Sequence, residues 1–180
     1  MFKLVFLIVY NFIRFFLKKL TYGKRINVHW LQRISPFCSI KTFGNGLLRI
    51  GRNCEFAHGC DFEVHGNGVL EIGDTTYFNR YCMISAQKSV KVGNQCFFGP
   101  GVKIFDNNHK FSKEEGVSSQ LSVGTISIGN HCWIASDVII LKDTHIGDNC
   151  VIGAGCIVQG DIPDGTLIKC KQEQEMQPMW

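Results

Sequence analysis

The sequence predicts an all-β chain wound as a parallel β-helix of three-sided coils, with a protruding loop and an N-terminal helix. Three observations predict it. An aliphatic or aromatic residue returns every six positions over much of the chain, a glycine follows many of those residues, and seven of the nine cysteines share one place in the repeat. A six-residue period fits neither a 3.6-residue helix nor an alternating strand. It fits a coil with three flat faces, each one hexad long, stacked on its neighbours through parallel strand hydrogen bonds around a continuous core.

Length and composition agree with one such domain. The chain has 180 residues, enough for a sizeable core, and its 45 % hydrophobic content argues against disorder. The formal net charge is +4, and the basic cluster is confined to Lys3, Arg14, Lys18, Lys19, Lys24 and Arg25. Nucleic-acid binders carry a concentrated basic stripe, so no nucleic-acid partner is expected.

Residues 1–35 read as an apolar, basic helix and a linker. Within residues 2–20, FKLVFLIVYNFIRFFLKKL, the unbroken apolar run from Leu4 to Tyr10 is too short to span a bilayer. No small-residue cleavage site follows it. Lys3, Asn11, Arg14 and Lys18 fall near one side of a helix with Phe and Leu on the rest. That pattern predicts a peripheral helix lying in a membrane interface with its basic groups towards anionic headgroups. Packing against the domain or a partner subunit is the alternative.

The β-helix is expected over residues 36–165. Ile128, Ile134, Ile140, Ile146, Ile152 and Val158 keep one phase without a slip. The same phase runs through Ile50, Phe56 and Phe62, then Ile72, Phe78, Ile84 and Val90, then Val92, Phe98 and Ile104, with two-residue slips between runs. Glycines follow the aliphatic residue at 51, 73, 93, 129, 147 and 153, where tight turns are expected. Cys54, Cys60, Cys82, Cys96, Cys132, Cys150 and Cys156 each stand four residues after their aliphatic residue, in an inward slot for a small side chain. This packing pattern implies reduced thiols and a cytoplasmic protein, whereas Cys38 and Cys170 fall outside it. His58 and His65 lie near Cys54 and Cys60, but thiols that point inward cannot ligate at the surface, so no metal is expected.

Between Phe105 and Ile126 the repeat stops for DNNHKFSKEEGVSSQLSVGT, an external loop over 106–125. A polar excursion of that length on a solenoid is usually functional. His109 stands at its root. Residues 166–180 form a C-terminal tail.

The tandem hexads of the form [ILV]-G-x-x-x-x resemble the hexapeptide-repeat acyltransferases over roughly residues 48–165. Within them the chain looks like the maltose/galactoside acetyltransferase branch and its relatives that O-acetylate bacterial surface polysaccharides. The resemblance implies a left-handed coil, a homotrimer, acetyl-CoA as co-substrate in a groove between subunits, and a sugar or glycan acceptor. It implies that His109 is the catalytic base and that Asn79, in the aromatic-x-Asn context YFN, serves the acceptor site. Trp133, in GNHCWIAS, matches a tryptophan that backs the histidine. Gly99, Ser136 and Ala154 match positions lining the coenzyme A channel, while Lys142, Lys169 and Lys171 are candidates for its phosphates. The chain departs from its relatives after the last coil, where A-G-x-P-A-K is missing, and at Gln159 and Gly160, where a Thr-Lys pair is common. Gln87 replaces an acidic sugar contact of the galactoside enzymes, which argues against simple galactosides or maltose.

The chemistry explains the histidine. An alcohol is a weak nucleophile at neutral pH, and an imidazole can take its proton as the new C–O bond forms. The other ring nitrogen needs a partner that fixes the tautomer: Asp106 is the nearest in sequence, and a loop carbonyl would serve as well. Direct transfer is expected, because buried cysteines supply no activated thiolate. Three other functions remain open: N-acetylation of an amino sugar on the same fold, a γ-class carbonic anhydrase, and a non-catalytic β-helix scaffold. The anhydrase needs three histidines on zinc, and the expected His-x4-His pair is missing.

Overall fold

The computed structural model describes residues 2–171; from residue 172 the expected tail lies outside the described residues. Helix α1 (Phe2–Tyr22) passes through a 3-10 turn (Gly23–Arg25) into the first coil, β1 (Ile26–Val28), β2 (Gln32–Ile34) and β3 (Ser39–Thr42). The second coil is β4 (Leu47–Ile50), β5 (Cys54–Phe56) and β6 (Asp61–Val64), and the third is β7 (Val69–Ile72), β8 (Tyr77–Phe78) and β9 (Met83–Ala86). The fourth is β10 (Ser89–Val92), β11 (Phe97–Phe98) and β12 (Lys103–Phe105). There the chain leaves the prism as a hairpin, β13 (Asn107–Ser112) and β14 (Gly116–Val123), and re-enters at β15 (Thr125–Ile128). Strands β16 (Trp133–Ile134), β17 (Ile139–Ile146), β18 (Val151–Ile152), β19 (Ile157–Ile162) and β20 (Leu167–Ile168) complete the stack.

Every coil lays one strand on each of three faces, all paired in parallel. The first face runs β1-β4-β7-β10-β15 and then through the later halves of β17 and β19, the second runs β2-β5-β8-β11-β16-β18-β20, and the third runs β3-β6-β9-β12 and then through the earlier halves of β17 and β19. Strands β17 and β19 bend around the edge between third and first faces, so each serves both. The core is a set of columns along the axis. Ile34, Phe56, Phe78, Phe98, Ile134 and Ile152 form one of them, with the Phe78 and Phe98 rings stacked at 4.2 Å. Truncating one of these rings to alanine costs about 3–5 kcal/mol, since a stacked coil cannot collapse around the hole.

The coils begin at Ile26, ahead of the expected boundary at 36, and continue to Ile168, beyond 165. Val28, Ile34 and Ile40 do keep the six-residue spacing. What hides the first coil is Gln32, fully buried in a slot that other coils fill with cysteine or threonine. Its Nε2 donates to the carbonyls of His29 (2.9 Å) and Gly51 (2.6 Å), and its Oε1 accepts from the Cys54 N–H (3.2 Å). Cys38 belongs to the same inward pattern after all: it is buried above Cys60, and its thiol donates to the Ala57 carbonyl at 2.8 Å.

The repeat glycines correct a second expectation. Gly51, Gly73, Gly93, Gly129 and Gly147 do not carry the left-handed turn; Asn53, Thr75, Gln95, His131 and Asn149, two residues later, do, at φ 55–58°. The glycines are required by close stacking. A Cβ on Gly51 would lie 2.3 Å from Asp74 Oδ1, because that oxygen accepts the Arg52 N–H (2.7 Å) of the coil before. Asn94, Asn130, Asp148 and Asp164 repeat the bond up the edge between first and second faces, at 2.6–2.9 Å.

Helix α1 lies across the open end of the first coil, and its orientation reverses the expected one. In the lower coils each carbonyl accepts from the preceding coil. The first coil has no predecessor, and unpaired edge carbonyls need donors. Asn11 Nδ2 donates to Ile34 O (2.8 Å), Arg14 Nη2 to Cys38 O (2.6 Å) and Lys18 Nζ to Ile40 O (3.1 Å). Phe15, 6 % exposed, plugs the end of the core. The polar stripe of Asn11, Arg14 and Lys18 therefore caps the prism, and the apolar remainder of the helix faces outward.

Candidate active site

The edge between third and first faces carries His109. Asp106, fully buried where the hairpin leaves the coil, is the anchor. Its carboxylate accepts the backbone N–H groups of Gln87 (2.8 Å), Lys88 (2.7 Å) and Ser89 (2.8 Å) from the coil before, and its carbonyl accepts the Gly124 N–H (2.7 Å) where the hairpin returns. Asn107 Nδ2 adds bonds to Ser85 Oγ and Asp106 Oδ1, both 3.1 Å. This overturns the orienting role expected of Asp106: its oxygens are taken by backbone donors, and the imidazole finds another partner.

That partner is the Ser118 carbonyl on the returning strand β14, 3.0 Å from His109 Nδ1. A carbonyl oxygen only accepts, so Nδ1 carries the hydrogen and Nε2 presents its lone pair. The ring is exposed at the base of an antiparallel hairpin, whose register slips between His109 and Phe111. The excursion over 106–125 is thus a built strand pair. A groove of about 870 Å³ runs along the first face past Arg49, Glu71 and Lys91 and does not include His109.

The other expected site residues gather at a different edge, between second and third faces. Asn79, Gly99, Ala135 and Gly153 stack there through successive N–H···O=C bonds of 2.7–2.9 Å to the neighbouring coil, and Ser136 and Ala154 follow in the same corner. Asn79 Oδ1 accepts the Arg80 N–H at 2.8 Å and caps the turn, while its Nδ2 makes no hydrogen bond among the described residues. Gly99 has a structural reason to be glycine: a Cβ there would sit 2.5 Å from the Ser136 nitrogen. Ala154 is exposed and Ser136 half-buried. Lys169 stands just beyond Gly153 at this corner, and Lys142 sits at the other edge, where its ammonium meets Asp143 Oδ2 at 3.1 Å.

Trp133 lies on the second face, 55 % exposed, paired with Phe97 and Val151. The second face does not adjoin the edge that bears the hairpin. The expectation that Trp133 backs His109 therefore fails within one chain. Residues that sequence reasoning passed over are Ser85, Asn107 and the Ser118 carbonyl. Ser85 was findable, since one coil separates it from Asn107; a backbone carbonyl leaves no trace in side-chain pattern.

Eight of the nine cysteines are buried in the prism, and Cys170 is exposed. Cys54 and Cys60 are buried and donate to the Gly73 and Asn79 carbonyls, both at 3.1 Å, and burial pushes the Cys54 thiol up to about 11. His58 packs between Phe37 and Tyr81, and His65 stacks on Phe43. No group of three metal-ligating side chains occurs among the described residues.

Similarity to known proteins follows the same coils. Residues 125–160 match the family model described as bacterial transferase hexapeptide (six repeats). The chain is 30 % identical over 140 residues to the putative lipopolysaccharide biosynthesis O-acetyl transferase WbbJ of Escherichia coli, covering 73 % of this chain and 70 % of that protein. It belongs to the hexapeptide-repeat acyltransferases. The galactoside O-acetyltransferase of Escherichia coli is 33 % identical over 103 residues, 56 % of this chain and 51 % of the relative, so this acyltransferase spans about half of that protein's length. A solved galactoside acetyltransferase in complex with coenzyme A superposes with a TM-score of 0.50 at 35 % identity, over 54 % of this chain and 49 % of that one. The N-acyltransferase AntD of Bacillus cereus, solved with dTDP and 3-hydroxybutyryl-CoA, shares the left-handed parallel β-helix fold at a TM-score of 0.68 and 17 % identity, over 84 % and 81 %.

Proposed function

We propose that this acyltransferase moves an acetyl group from acetyl-CoA to a hydroxyl of a sugar, in a bacterial surface polysaccharide or its precursor, with His109 as general base. The observation that carries the reading is the Ser118 carbonyl on Nδ1, which fixes the tautomer whose Nε2 accepts a proton. Nε2 takes the acceptor hydroxyl proton as that oxygen bonds to the thioester carbon. The C–S bond then breaks, and the proton passes to the departing sulfur. No acyl-enzyme intervenes, in keeping with prism cysteines whose thiols are buried inside the coils.

The site is completed by a second copy. His109 occupies one edge of the prism, while Asn79, Ser136 and Ala154 occupy another. A contact that joins two different edges is heterologous, and a ring is the closed form of such a contact. A trimer brings the hairpin of one copy to the Asn79 edge of the next, with coenzyme A between them and Lys169 towards its phosphates. Trp133 and Phe97 then back the partner's imidazole. Reduced thiols and a nucleotide-bearing donor suit the cytoplasm.

Free thiol released from acetyl-CoA in the presence of glycan acceptors tests the reading. Hydroxyl acceptors should support release, and amino acceptors in parallel decide between O- and N-transfer. Release that is equally fast in His109→Ala sinks the assignment of the base.

A further inference from the structure

We propose that the outward face of α1 docks on an anionic lipid bilayer, so that the prism stands end-on to the membrane with its first coil nearest the lipid. The expected contact is inverted: the polar stripe is spent on the coil's carbonyls, and the apolar side is the one presented. Phe6, Val9, Phe12, Phe16 and Leu20 are 51–69 % exposed on that side, and Trp30 beside them is 58 % exposed. A cavity of about 180 Å³ between Phe12, Phe16, Trp30 and Lys19 opens at the same end. Monomeric soluble proteins seldom expose a contiguous apolar patch of this kind without a partner for it.

Charge identifies the partner. Residues 1–54 contain ten Lys and Arg and no Asp or Glu, leaving nine basic against fifteen acidic residues in the rest. Each coil touches only its neighbours, so position in the sequence becomes height along the axis. The basic excess is therefore spatial and sits at the α1 end. Arg33, Lys41 and Arg49 meet Glu55, Glu63 and Glu71 one coil on. Arg14, Lys18 and Arg25 bond only to carbonyls, and Lys19 and Lys24 are exposed. The first three point their charge at the coil end, and Lys19 and Lys24 lie free at the margin of the apolar face. An apolar surface rimmed by cations with an aromatic ring at its margin is the chemistry of an interfacial anchor on anionic lipid. A second copy would bring like charges together. None of the described helices is long and apolar enough to cross a membrane, so the contact is peripheral. With α1 on the lipid, the hairpin at the fourth coil stands three coil spacings, about 15 Å, further out.

The full chain would be floated with vesicles of phosphatidylcholine alone and of phosphatidylcholine with an equal share of phosphatidylglycerol. The bound fraction should be about tenfold higher on the anionic vesicles and should fall as salt rises. Phe6→Gln with Leu20→Gln should abolish flotation while leaving the melting temperature and oligomer size unchanged, because both side chains are exposed. Lys19→Glu with Lys24→Glu, a separate exposed pair, should lower anionic binding to the phosphatidylcholine level. The proposal is overturned if wild type stays unbound on anionic vesicles, if both variants float as wild type does, or if wild type pairs end to end through α1 and vesicles fail to separate the pairs. No acyl acceptor is involved, so the result stands apart from the assignment of His109.

Discussion

The two edges of the prism that carry the candidate site residues are built in opposite ways. The edge of Asn79, Gly99, Ser136 and Ala154 is a backbone structure, in which each coil donates to the next and side chains are small because the coils are close. The edge of His109 is held by side chains: a buried carboxylate ties down three N–H groups, an amide braces Ser85, and a hairpin projects beyond the core. A rigid rail suits a long ligand that must be laid along the axis. A projecting hairpin suits a base that must reach across to another surface. On the proposed reading, catalysis is a meeting of two edges, which one chain's own geometry keeps apart.

The largest effect should come from breaking the projecting side. His109→Ala should slow acetyl transfer by about 100- to 10,000-fold. Stability should not change measurably, because the ring is exposed and makes a single hydrogen bond. Steady-state kinetics and thermal melting of the same sample check both halves. Breaking each edge in a different chain sharpens the comparison. His109→Ala and Ala154→Arg should each be inactive alone; unfolded and refolded together, they should regain about a quarter of wild-type activity, since a heterologous ring recreates sites with both edges intact. No recovery in mixed oligomers of proven composition would mean that one chain supplies the whole site.

Asp106→Ala should act on stability before chemistry. It removes the acceptor of three part-buried N–H groups, a loss of about 3 kcal/mol, lowering the melting temperature by about 10 °C in a chain of this size. Below that temperature kcat should fall less than about tenfold, because the imidazole is fixed by Ser118 and not by the carboxylate. A drop in kcat matching that of His109→Ala, with melting unchanged, would restore Asp106 to the role its neighbourhood in sequence suggests.

The prism was legible in the sequence because its physics is periodic. Ile128 to Val158 at one phase and cysteines at another are direct images of an inward column and its small-residue slot. The first coil was less legible because Gln32 satisfies itself through bonds that no hydropathy pattern records. The stripe on α1 was read as a stripe, but its direction depends on which carbonyls lack donors, a property of the coil's end. The site divides in the same way. His109 and Asn79 could be named as candidates from residue type and context. The partner that fixes the imidazole is a backbone atom nine residues away across a hairpin turn, and only pairing of β13 with β14 brings it there.

The smallest expected effect probes the rail. Asn79 has two polar ends with different duties: Oδ1 caps the turn at Arg80, and Nδ2 is free of protein partners among the described residues. Losing the cap should cost about 1 kcal/mol, by analogy with other side-chain caps of backbone N–H groups. Losing an amide that contacts the acceptor should raise KM for the sugar about tenfold with kcat little changed, as removal of uniform binding does. Asn79→Asp separates the two, because a carboxylate keeps the acceptor oxygen for Arg80 and removes the donor. Stability should then be retained while KM rises. If Asn79→Asp leaves KM unchanged, the residue belongs to the turn alone, and the acceptor is held by groups on the hairpin edge.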